Sequence, residues 1–398
     1  MFKIKFKIIV FLFAILIFKS GFSLTLSDSS FISILTCSPG SELYSVFGHT
    51  AIRVNDPVLG IDIVFNYGTF DFNTPNFYAK FVKGKLNYKL SLSKYEYFIF
   101  EYEAEERSVF EQKLNFNKTE KQKLYELLVE NYKPENRYYL YDFFYDNCSS
   151  RIRDIVENAT VAKLNYNYLP KKENANYRNL LYPYIHPKSW LDLGINLALG
   201  LRADKNISVR DYMFLPDYIL SIYDSSTIND GIIESRLTQP IEVKFLAVEK
   251  PVEEWFILKA PVILWILFLI TVLFTIFAFL KNKNFRFIDY FLFSVTGLLG
   301  VLLTFLWFFT DHKPMEYNLN TLWAFPLNLM MLFYLHKPGV KFFQVYMLFT
   351  LLLNTIILLS WPVFPQHYHY AVFPLVLSIF IRVGMYVHKG KLYKNLFS

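Results

Sequence analysis

The C-terminal part of the chain contains five long apolar runs, which decide what kind of protein it can be. The first four have no charged side chain, and the fifth has only Arg382, close enough to its end to reach the membrane surface. A helix needs about 20 apolar residues to cross a bilayer. The sequence therefore predicts an all-α domain of five transmembrane helices over residues 259–398. The runs are Ala260–Leu280, Tyr290–Thr310, Asn318–Leu335, Phe342–Trp361 and Ala371–Val387.

Basic residues between the runs indicate how this domain is oriented. They collect on alternate loops and in the tail, whereas the opposite loops contain one basic residue, Lys313. Because basic loops stay in the cytosol, the pattern predicts a bacterial inner-membrane protein with a periplasmic N-terminal domain and a cytosolic C-terminus. The predicted cytosolic residues are Lys281, Lys283, Arg286, Lys337, Lys341, Arg382, Lys389, Lys391 and Lys394.

Composition excludes two other classes of protein. With 19% charged and 54% hydrophobic residues, against about 25% charged in soluble domains, the chain is not a purely soluble protein. The formal net charge of +7 does not indicate a nucleic-acid partner. Residues 24–258 carry more acidic than basic side chains, so the positive charge belongs to the N-terminus and the membrane domain.

The N-terminus has the pattern of a signal peptide over residues 1–23. Three lysines precede a short apolar run, Ile8–Phe18, and Gly21 and Ser23 supply the small residues of a cleavage site before Leu24. An uncleaved anchor is the alternative. Both possibilities predict that the segment that follows is exported.

Residues 24–258 mix strand and helix patterns, which predicts one exported α+β domain. Alternating runs indicate strands, and helical spacing indicates two helices and a mostly helical extension over Tyr177–Asp224. The segment is long enough to bury its own core. The predicted strands are Ala51–Val54, Asp62–Asn66 and Lys85–Leu92, and the predicted helices are Thr119–Tyr132 and Ser149–Asn158.

Cys148 lies where a helix is expected to begin. Asp146 and Asn147 are residue types that cap helices, which puts Cys148 in the first helical turn. Free N–H groups and the helix dipole at that position favour a thiolate. The sequence therefore predicts that Cys148 is a nucleophile.

His49 is the best candidate for the base, because Gly48-His49 opens a strand at the rim of the predicted sheet. A polar residue on the neighbouring strand could orient the imidazole. Asn66 and Asp62 share one face of that strand, so spacing alone does not separate them. We favour Asn66, since Gly68 follows closely and allows tight approach of the backbone.

Three alternatives keep these residues out of catalysis. Cys148 could form a disulfide with Cys37, the second cysteine of the chain. It could instead be a buried, unreactive thiol. His49 could be a structural histidine whose hydrogen bonds are satisfied within the protein.

Three motifs carry a resemblance to a known family. They are Leu35-Thr-Cys-Ser-Pro-Gly40, Phe47-Gly-His-Thr-Ala-Ile-Arg53 and Asp146-Asn-Cys-Ser-Ser150. A histidine strand followed by an Asn-Cys helix resembles the circularly permuted papain-like enzymes, which include the NlpC/P60-related and lecithin:retinol acyltransferase-like groups. The full motifs are similar to the more particular Lnb N-terminal periplasmic domain family. Membership would also account for the C-terminal membrane helices.

The resemblance implies a permuted papain-like α+β fold and a specific reaction. Cys148 would take an acyl chain from a phospholipid as a thioester and pass it to the α-amine of a lipoprotein's N-terminal cysteine. His49 would move the protons. The chain departs from the retinol-acyltransferase pattern in two places: Asn66 or Asp62 stands where a second histidine is typical, and two serines follow the Asn-Cys pair.

Further residues are predicted to bind substrate. Some lie within the motifs. Others lie in the loop after the second apolar run, which is predicted to be at the depth of the membrane surface. Polar groups at that depth could hold a phospholipid head group or the acceptor. The alternative is that this loop is simply exposed to solvent and that Tyr317 and Trp323 belong to the belt of aromatic residues at the membrane surface. We predict no metal ion and no cofactor. The predicted substrate-binding residues are Asn147, Arg53, Asp311, His312, Asn318 and Asn320.

The leading hypothesis is a membrane-bound lipoprotein N-acyltransferase, whose partners are a phospholipid donor, a lipoprotein acceptor and the membrane. One alternative is a periplasmic cysteine amidohydrolase or peptidase of the NlpC/P60 type, acting on cell-wall peptides through the same residues. A second is a non-catalytic, membrane-tethered assembly protein. The apolar runs favour the first hypothesis, because both of its substrates lie at the outer face of the inner membrane.

Overall fold

A computed structural model describes residues 24–170, 174–229, 231–248, 254–281 and 285–390. The signal peptide predicted for residues 1–23 lies outside the described residues. The described chain forms an N-terminal domain of sheets and helices followed by a helical membrane domain, as the sequence predicts.

Strands occur only in the N-terminal part of the described chain. They are β1 (Phe31–Cys37), β2 (His49–Asp56), β3 (Ile61–Thr69), β4 (Asn87–Lys94), β5 (Val109–Lys113), β6 (Tyr138–Leu140), β7 (Lys163–Asn165), β8 (Thr227–Asn229), β9 (Glu234–Arg236) and β10 (Glu242–Phe245). The main sheet has the order β10-β5-β1-β2-β3-β4-β6, and its neighbouring strands are antiparallel. A small second sheet joins β7, β8 and β9.

Helices occur in both domains. In the N-terminal domain they are α1 (Phe77–Val82), α2 (Tyr95–Ala104), α3 (Lys118–Tyr132), α4 (Cys148–Ala159), α5 (Tyr177–Ile185), α6 (Ser189–Ala198), α7 (Val209–Tyr212) and α8 (Pro216–Ser225). In the membrane domain they are α9 (Ala260–Leu280), α10 (Arg286–Phe308), α11 (Asn328–Met331), α12 (Lys341–Ser360) and α13 (Phe373–Lys389). The predicted helical extension is present as α5 to α8.

The main sheet is covered by helices on both faces. On one face, the buried side of α4 packs against Ile52 of β2 and Phe65 of β3. On the other face, Phe98 of α2 lies in a cluster with Val64 of β3. Full burial of side chains of this size contributes about 1.5–3 kcal/mol each. The buried positions of α4 recur at helical spacing and include Ile152, Ile155, Val156 and Ala159.

The sequence did not predict β1 and β5, which are inner strands of the main sheet, or the short strands β6 to β10. All but the first residue of β1 are buried, because β5 and β2 flank it and helices cover both faces. A strand buried on both faces shows no alternation of apolar and polar residues, which is the pattern that identifies half-buried strands. Short edge strands such as β10 give an equally weak pattern.

The membrane domain contains fewer long helices than the sequence predicts. Within the described residues, four helices are long and apolar enough to cross a membrane. They correspond to the first, second, fourth and fifth apolar runs. Their bounds are Ala260–Leu280, Arg286–Phe308, Lys341–Val363 and Tyr370–Lys389.

The third apolar run, Asn318–Leu335, does not form the long helix that the sequence predicts. It contains only short helical pieces, Leu319–Leu322, α11 and Leu332–Tyr334. Pro326 lies between the first two pieces and has no backbone N–H to continue a helix. We call residues 318–335 the broken segment.

The broken segment lies antiparallel to α10 along the full length of that helix. At one end, Asn318 donates from Nδ2 to the Leu197 carbonyl of the N-terminal domain. At the other end, His336 Nδ1 lies 3.1 Å from the Arg286 guanidinium, at the first residue of α10. Between them the two backbones touch: a Cβ on Gly300 would lie 2.1 Å from the Ala324 carbonyl oxygen.

Arg382 is buried in the bundle instead of reaching the membrane surface, which corrects the sequence prediction. Its guanidinium makes two hydrogen bonds, of 2.6 and 2.7 Å, to the Asp289 carboxylate, and both side chains have no exposed area. Tyr386 donates to the same carboxylate over 2.7 Å. The pair therefore ties α13 to α10 and satisfies a charge that would otherwise be costly at this depth.

The N-terminal domain is attached to one end of the helix bundle through buried polar contacts. Asn318 donates to the Leu197 carbonyl over 2.7 Å, and Gln366 donates to the Leu199 carbonyl over 3.3 Å. Arg202 pairs with Glu316 at 2.6 Å beside them. Of the residues predicted to be cytosolic, Lys283, Lys391 and Lys394 lie outside the described residues, and Arg286 lies at the opposite end of the bundle, at the first residue of α10.

Candidate active site

Cys148 is the first residue of α4, and the helix start is capped as the sequence predicts. Asn147 Oδ1 accepts hydrogen bonds from the N–H groups of Ser149 and Ser150, at 2.9 and 2.8 Å. Asn147 Nδ2 donates to the carbonyls of Phe143 and Phe214. All polar atoms of the Asn147 side chain are therefore used to hold the helix start in place, and this residue is not free to bind substrate.

His49 opens β2 and is held by a hydrogen bond from its Nε2 to Oδ1 of Asn66 on β3. This contact leaves Nδ1 as the ring nitrogen available to the Cys148 thiol. The turn into β2 passes through Gly48, whose φ of +79° and close approach to the Cys37 carbonyl exclude a side chain. The structure thus pairs His49 with Asn66, the favoured one of the two predicted partners.

Gly68 lies directly beside Cys148, in a backbone conformation that favours glycine. Its φ is +86°, and a Cβ at this position would lie 3.5 Å from the Cβ of Cys148. The ladder between β3 and β4 is irregular at this point, between Asn66 and Thr69. A glycine in a strand often marks such a bulge or a close approach of another segment, and here both are present.

The environment of the pair favours its charged form. Burial raises the pKa of the Cys148 thiol, but the charge and hydrogen bond of His49, together with the Thr50 backbone N–H, hold that pKa below its ordinary value. Burial lowers the pKa of His49, but Cys148 and Asn66 stabilise the imidazolium and hold that pKa above its ordinary value. A thiolate–imidazolium pair is the nucleophile–base arrangement that thiol enzymes use.

Cys37 is not bonded to Cys148, since both cysteines are free in the structure. Cys37 lies opposite His49 in the ladder between β1 and β2 and is completely buried. Burial raises the pKa of this thiol far above the range of a reactive cysteine. Of the two cysteines, only Cys148 keeps partial solvent exposure and a lowered pKa.

Comparison with known families covers most of the chain. Residues 24–182 match the Lnb N-terminal periplasmic domain, and residues 252–392 match the Lnb transmembrane domain. The chain belongs to the Lnb family. The match to the first domain includes His49, Asn66 and Cys148, and the match to the second includes the broken segment. No curated protein and no solved structure matches the chain.

Two residues near the strand ends have a structural role in this Lnb-family protein. Asp62 accepts two hydrogen bonds, of 2.7 and 2.8 Å, from Arg53, and Arg53 also bonds to the buried Glu111 at 3.0 Å. The guanidinium lies 3.3 Å from the centre of the Tyr95 ring. Arg53, predicted to bind substrate, is therefore fully engaged within the domain, and Asp62 is not available to orient His49.

Asn318 and Asn320 are buried in the domain interface, which corrects their predicted role as substrate ligands. The Asn318 amide donates to the Leu197 and Ala198 carbonyls, and its Oδ1 accepts from the Asn320 N–H. Asn320 Nδ2 donates to Leu197, and its Oδ1 accepts from Trp323 Nε1. Their polar atoms hold the N-terminal domain on the bundle and are not open to a head group.

Asp311 and His312 lie at the bundle surface and contact α1. The Asp311 N–H donates to the Lys83 carbonyl over 2.9 Å, and His312 Nε2 lies 3.0 Å from the Phe81 carbonyl oxygen. The structure therefore brings these residues to the edge of the N-terminal domain, not to the Cys148–His49 pair.

Sequence reasoning missed three residues around the thiol. Thr50 supplies the backbone N–H that bonds to Cys148, and its hydroxyl lies 3.0 Å from that of Ser149. Tyr141 lies on the other side, close enough for the charge of Cys148 to raise its already elevated pKa. Thr50 and Ser149 directly follow the His49 and Cys148 positions in the motifs, so the motif spacing is the signal that could have identified them.

Proposed function

We propose that this Lnb-family protein is a membrane-bound lipoprotein N-acyltransferase. The observation that carries the proposal is the Cys148–His49–Asn66 arrangement on a domain attached to the end of a transmembrane bundle. The active thiol would work beside a bilayer surface, where phospholipids and lipoprotein N-termini are both available. The bundle end that holds Arg286 would face the cytosol, which puts the N-terminal domain in the periplasm.

The first half-reaction would transfer an acyl chain to the enzyme. The Cys148 thiolate attacks an ester carbonyl of a phospholipid, and the carbon–oxygen bond to the glycerol breaks. His49 gives its proton to the leaving oxygen, which produces a lysophospholipid and an acyl thioester on Cys148. The step begins from the thiolate–imidazolium pair that the lowered and raised pKa values favour.

The second half-reaction would pass the chain to the acceptor. The α-amine of the lipoprotein's N-terminal cysteine attacks the thioester, and the carbon–sulfur bond breaks. Neutral His49 takes the proton that the amine loses, so the thiolate–imidazolium pair is restored. Asn66 fixes the imidazole through Nε2, so that Nδ1 faces the reacting atoms in both steps.

The helix start would stabilise the oxyanion in both steps. Asn147 already occupies the N–H groups of Ser149 and Ser150, which leaves the N–H of Cys148 as the first-turn donor not taken by the cap. A backbone N–H at a helix N-terminus is suited to bind a developing negative charge. The order of the histidine strand before the cysteine helix also fits a permuted papain-like fold, which we include in the proposal.

The test is to trap the acyl-enzyme. The full chain is reconstituted in vesicles of phosphatidylethanolamine with isotope-labelled acyl chains, and the peptide that contains Cys148 is analysed by mass spectrometry. We expect a labelled acyl group that hydroxylamine removes. Addition of a peptide with a diacylglyceryl N-terminal cysteine should move the label to the peptide's amine.

The second cysteine offers a matched control. Cys37→Ala should still form the thioester, whereas Cys148→Ala should form none. Absence of label on wild-type Cys148, together with cleavage of cell-wall peptides, would favour the hydrolase hypothesis instead. Full complementation of cells by Cys148→Ala would favour the non-catalytic assembly protein.

A further inference from the structure

An exposed, aromatic-rich segment lies between β3 and β4, and we call residues 70–82 the aromatic segment. Its exposed apolar residues form one contiguous stretch around α1 and the loop before it. No residue of α1 is buried in the protein. Soluble surfaces rarely expose apolar patches of this kind without a binding role. The most exposed members are Phe72, Tyr78, Phe81 and Val82.

The depth of the aromatic segment is set by its attachment to the membrane domain. The carbonyl of Lys83, directly after α1, accepts a hydrogen bond from the Asp311 N–H, and His312 Nε2 bonds to the Phe81 carbonyl. Asp311 lies three residues beyond Phe308, the last residue of the membrane-spanning α10. The segment is therefore held at the level where a transmembrane helix leaves the bilayer.

The side chains at that level match the two chemical layers of a bilayer surface. Tyr78 and Phe81 project from α1 as exposed aromatic groups, which favour the boundary between head groups and acyl chains. Lys80, Lys83 and Lys85 lie beside them and complement the phosphate groups of phospholipids. A short element with aromatic and basic residues is typical of segments that lie in the membrane surface.

A continuous row of rings connects the aromatic segment to the active site. From the exposed end, Phe77 contacts Phe72 and Phe70, and Phe70 contacts Tyr88, with ring centroids 4.9, 5.8 and 5.3 Å apart. Tyr88 stacks on Tyr141 at 4.5 Å. The row reaches the thiol at Gly68, two positions before Phe70, because a Cβ built on Gly68 would lie 3.5 Å from the Cβ of Cys148.

We propose that the aromatic segment lies in the outer surface of the bilayer and that its row of rings guides an acyl chain of a membrane phospholipid to Cys148. The inference rests on the proposed acyltransferase reaction and names the route of its donor. The rings supply an apolar path over a distance that would otherwise expose the acyl chain to water. The lysines beside α1 would keep the phosphate of the same lipid at the surface.

The membrane contact can be tested without reference to activity. A photoreactive phenylalanine analogue replaces Tyr78 in the full chain, and the protein is reconstituted in vesicles that contain radiolabelled phospholipid. The matched control carries the analogue at Val58, which is 72% exposed against 78% for Tyr78 but lies at the far end of the β2–β3 hairpin. We expect labelled phospholipid attached at position 78 at least tenfold above position 58.

The route is tested by the rate at which vesicle phospholipid acylates Cys148. Tyr78→Ser combined with Phe81→Ser should slow acylation by about tenfold, because membrane binding scales with the apolar area buried. Val58→Ser should leave the rate unchanged. Alkylation of Cys148 by a small water-soluble reagent should be the same in all variants, which excludes a folding defect as the cause.

The outcomes separate this inference from the proposed function. Equal crosslinking at positions 78 and 58, crosslinking of position 78 to protein only, or normal acylation in the double variant would overturn the route. Crosslinking to lipid with no acylation of wild-type Cys148 would refute the acyltransferase reaction, and with it the route to the thiol.

Discussion

The role of Asn66 gives the sharpest test of the site, because its side chain is joined to the Cys148–His49 pair by the hydrogen bond to His49 Nε2. Asn66→Ala removes the acceptor of that bond. A hydrogen bond to a charged group contributes about 1.5–3 kcal/mol, and one pKa unit corresponds to about 1.4 kcal/mol. Because this bond is stronger to the imidazolium than to the neutral ring, the pKa of His49 should fall in Asn66→Ala.

The change in the imidazole alters how the pair shares its proton. In the native protein the raised pKa of His49 and the lowered pKa of Cys148 favour thiolate and imidazolium. In Asn66→Ala the proton returns to the sulfur, and the thiolate fraction at neutral pH should fall by up to about 10- to 100-fold. When the pH rises through the ordinary thiol range, the thiol ionises without help from the imidazolium, so variant and native protein should converge.

The assay is the pH dependence of alkylation of Cys148 by iodoacetamide, followed on the Cys148 peptide by mass spectrometry. Asp62→Asn is the matched control, because Asp62 lies on the same strand face but bonds to Arg53. It should leave the profile unchanged. Two results would refute the reasoning: an unchanged rate at neutral pH in Asn66→Ala, or an equal loss in Asp62→Asn. Recovery at high pH distinguishes a lost proton partner from a misfolded site.

Three further predictions concern packing. Gly300→Ala should strongly lower the thermal stability of the detergent-solubilised protein, since its Cβ would lie 2.1 Å from a carbonyl oxygen. Gly194→Ala in α6 is the control, because a Cβ there has nothing within 4 Å. It should raise the free energy of unfolding by about 0.5–1 kcal/mol. Asp289→Leu should lower the free energy of unfolding by about 3–5 kcal/mol, because Arg382 would stay buried without a partner. The double variant Asp289→Leu/Arg382→Met should be more stable than Asp289→Leu in thermal unfolding. Gly68→Ala should cost about 1–3 kcal/mol of backbone strain and slow Cys148 acylation, and a normal acylation rate would contradict the role given to that glycine.

The predictions from sequence succeeded where the signal is local. Asn147 next to Cys148 predicts a capped helix start, and that cap is present. The position of His49 at a strand opening and of Gly68 near Asn66 predicted that His49 would lie beside Asn66, and the structure has that contact. The cap and the His49–Asn66 pairing depend on residues adjacent in sequence or on one neighbouring strand, whereas the Cys148–His49 contact is distant in sequence and was inferred from the chemistry of the two residue types.

The predictions failed where a residue's partner is distant in the sequence. Arg53 and Asn318 were taken as substrate ligands because they are polar and near the motifs or the membrane surface. Glu111 and Leu197 supply their partners, and no local pattern indicates these contacts. Arg382 was expected to reach the surface for the same reason, since its pairing with Asp289 spans two helices.

The irregular backbone of the broken segment has a consequence for how the protein is made. An isolated stretch that lacks regular helical hydrogen bonds would bring unsatisfied peptide groups into lipid, at a cost of several kcal/mol for each group. In the conformation that the structure shows, residues 318–335 need a neighbouring helix to cover their backbone, although they are as apolar as an ordinary span. We therefore expect them to be inserted together with α10, which contacts their backbone at Gly297 and Gly300.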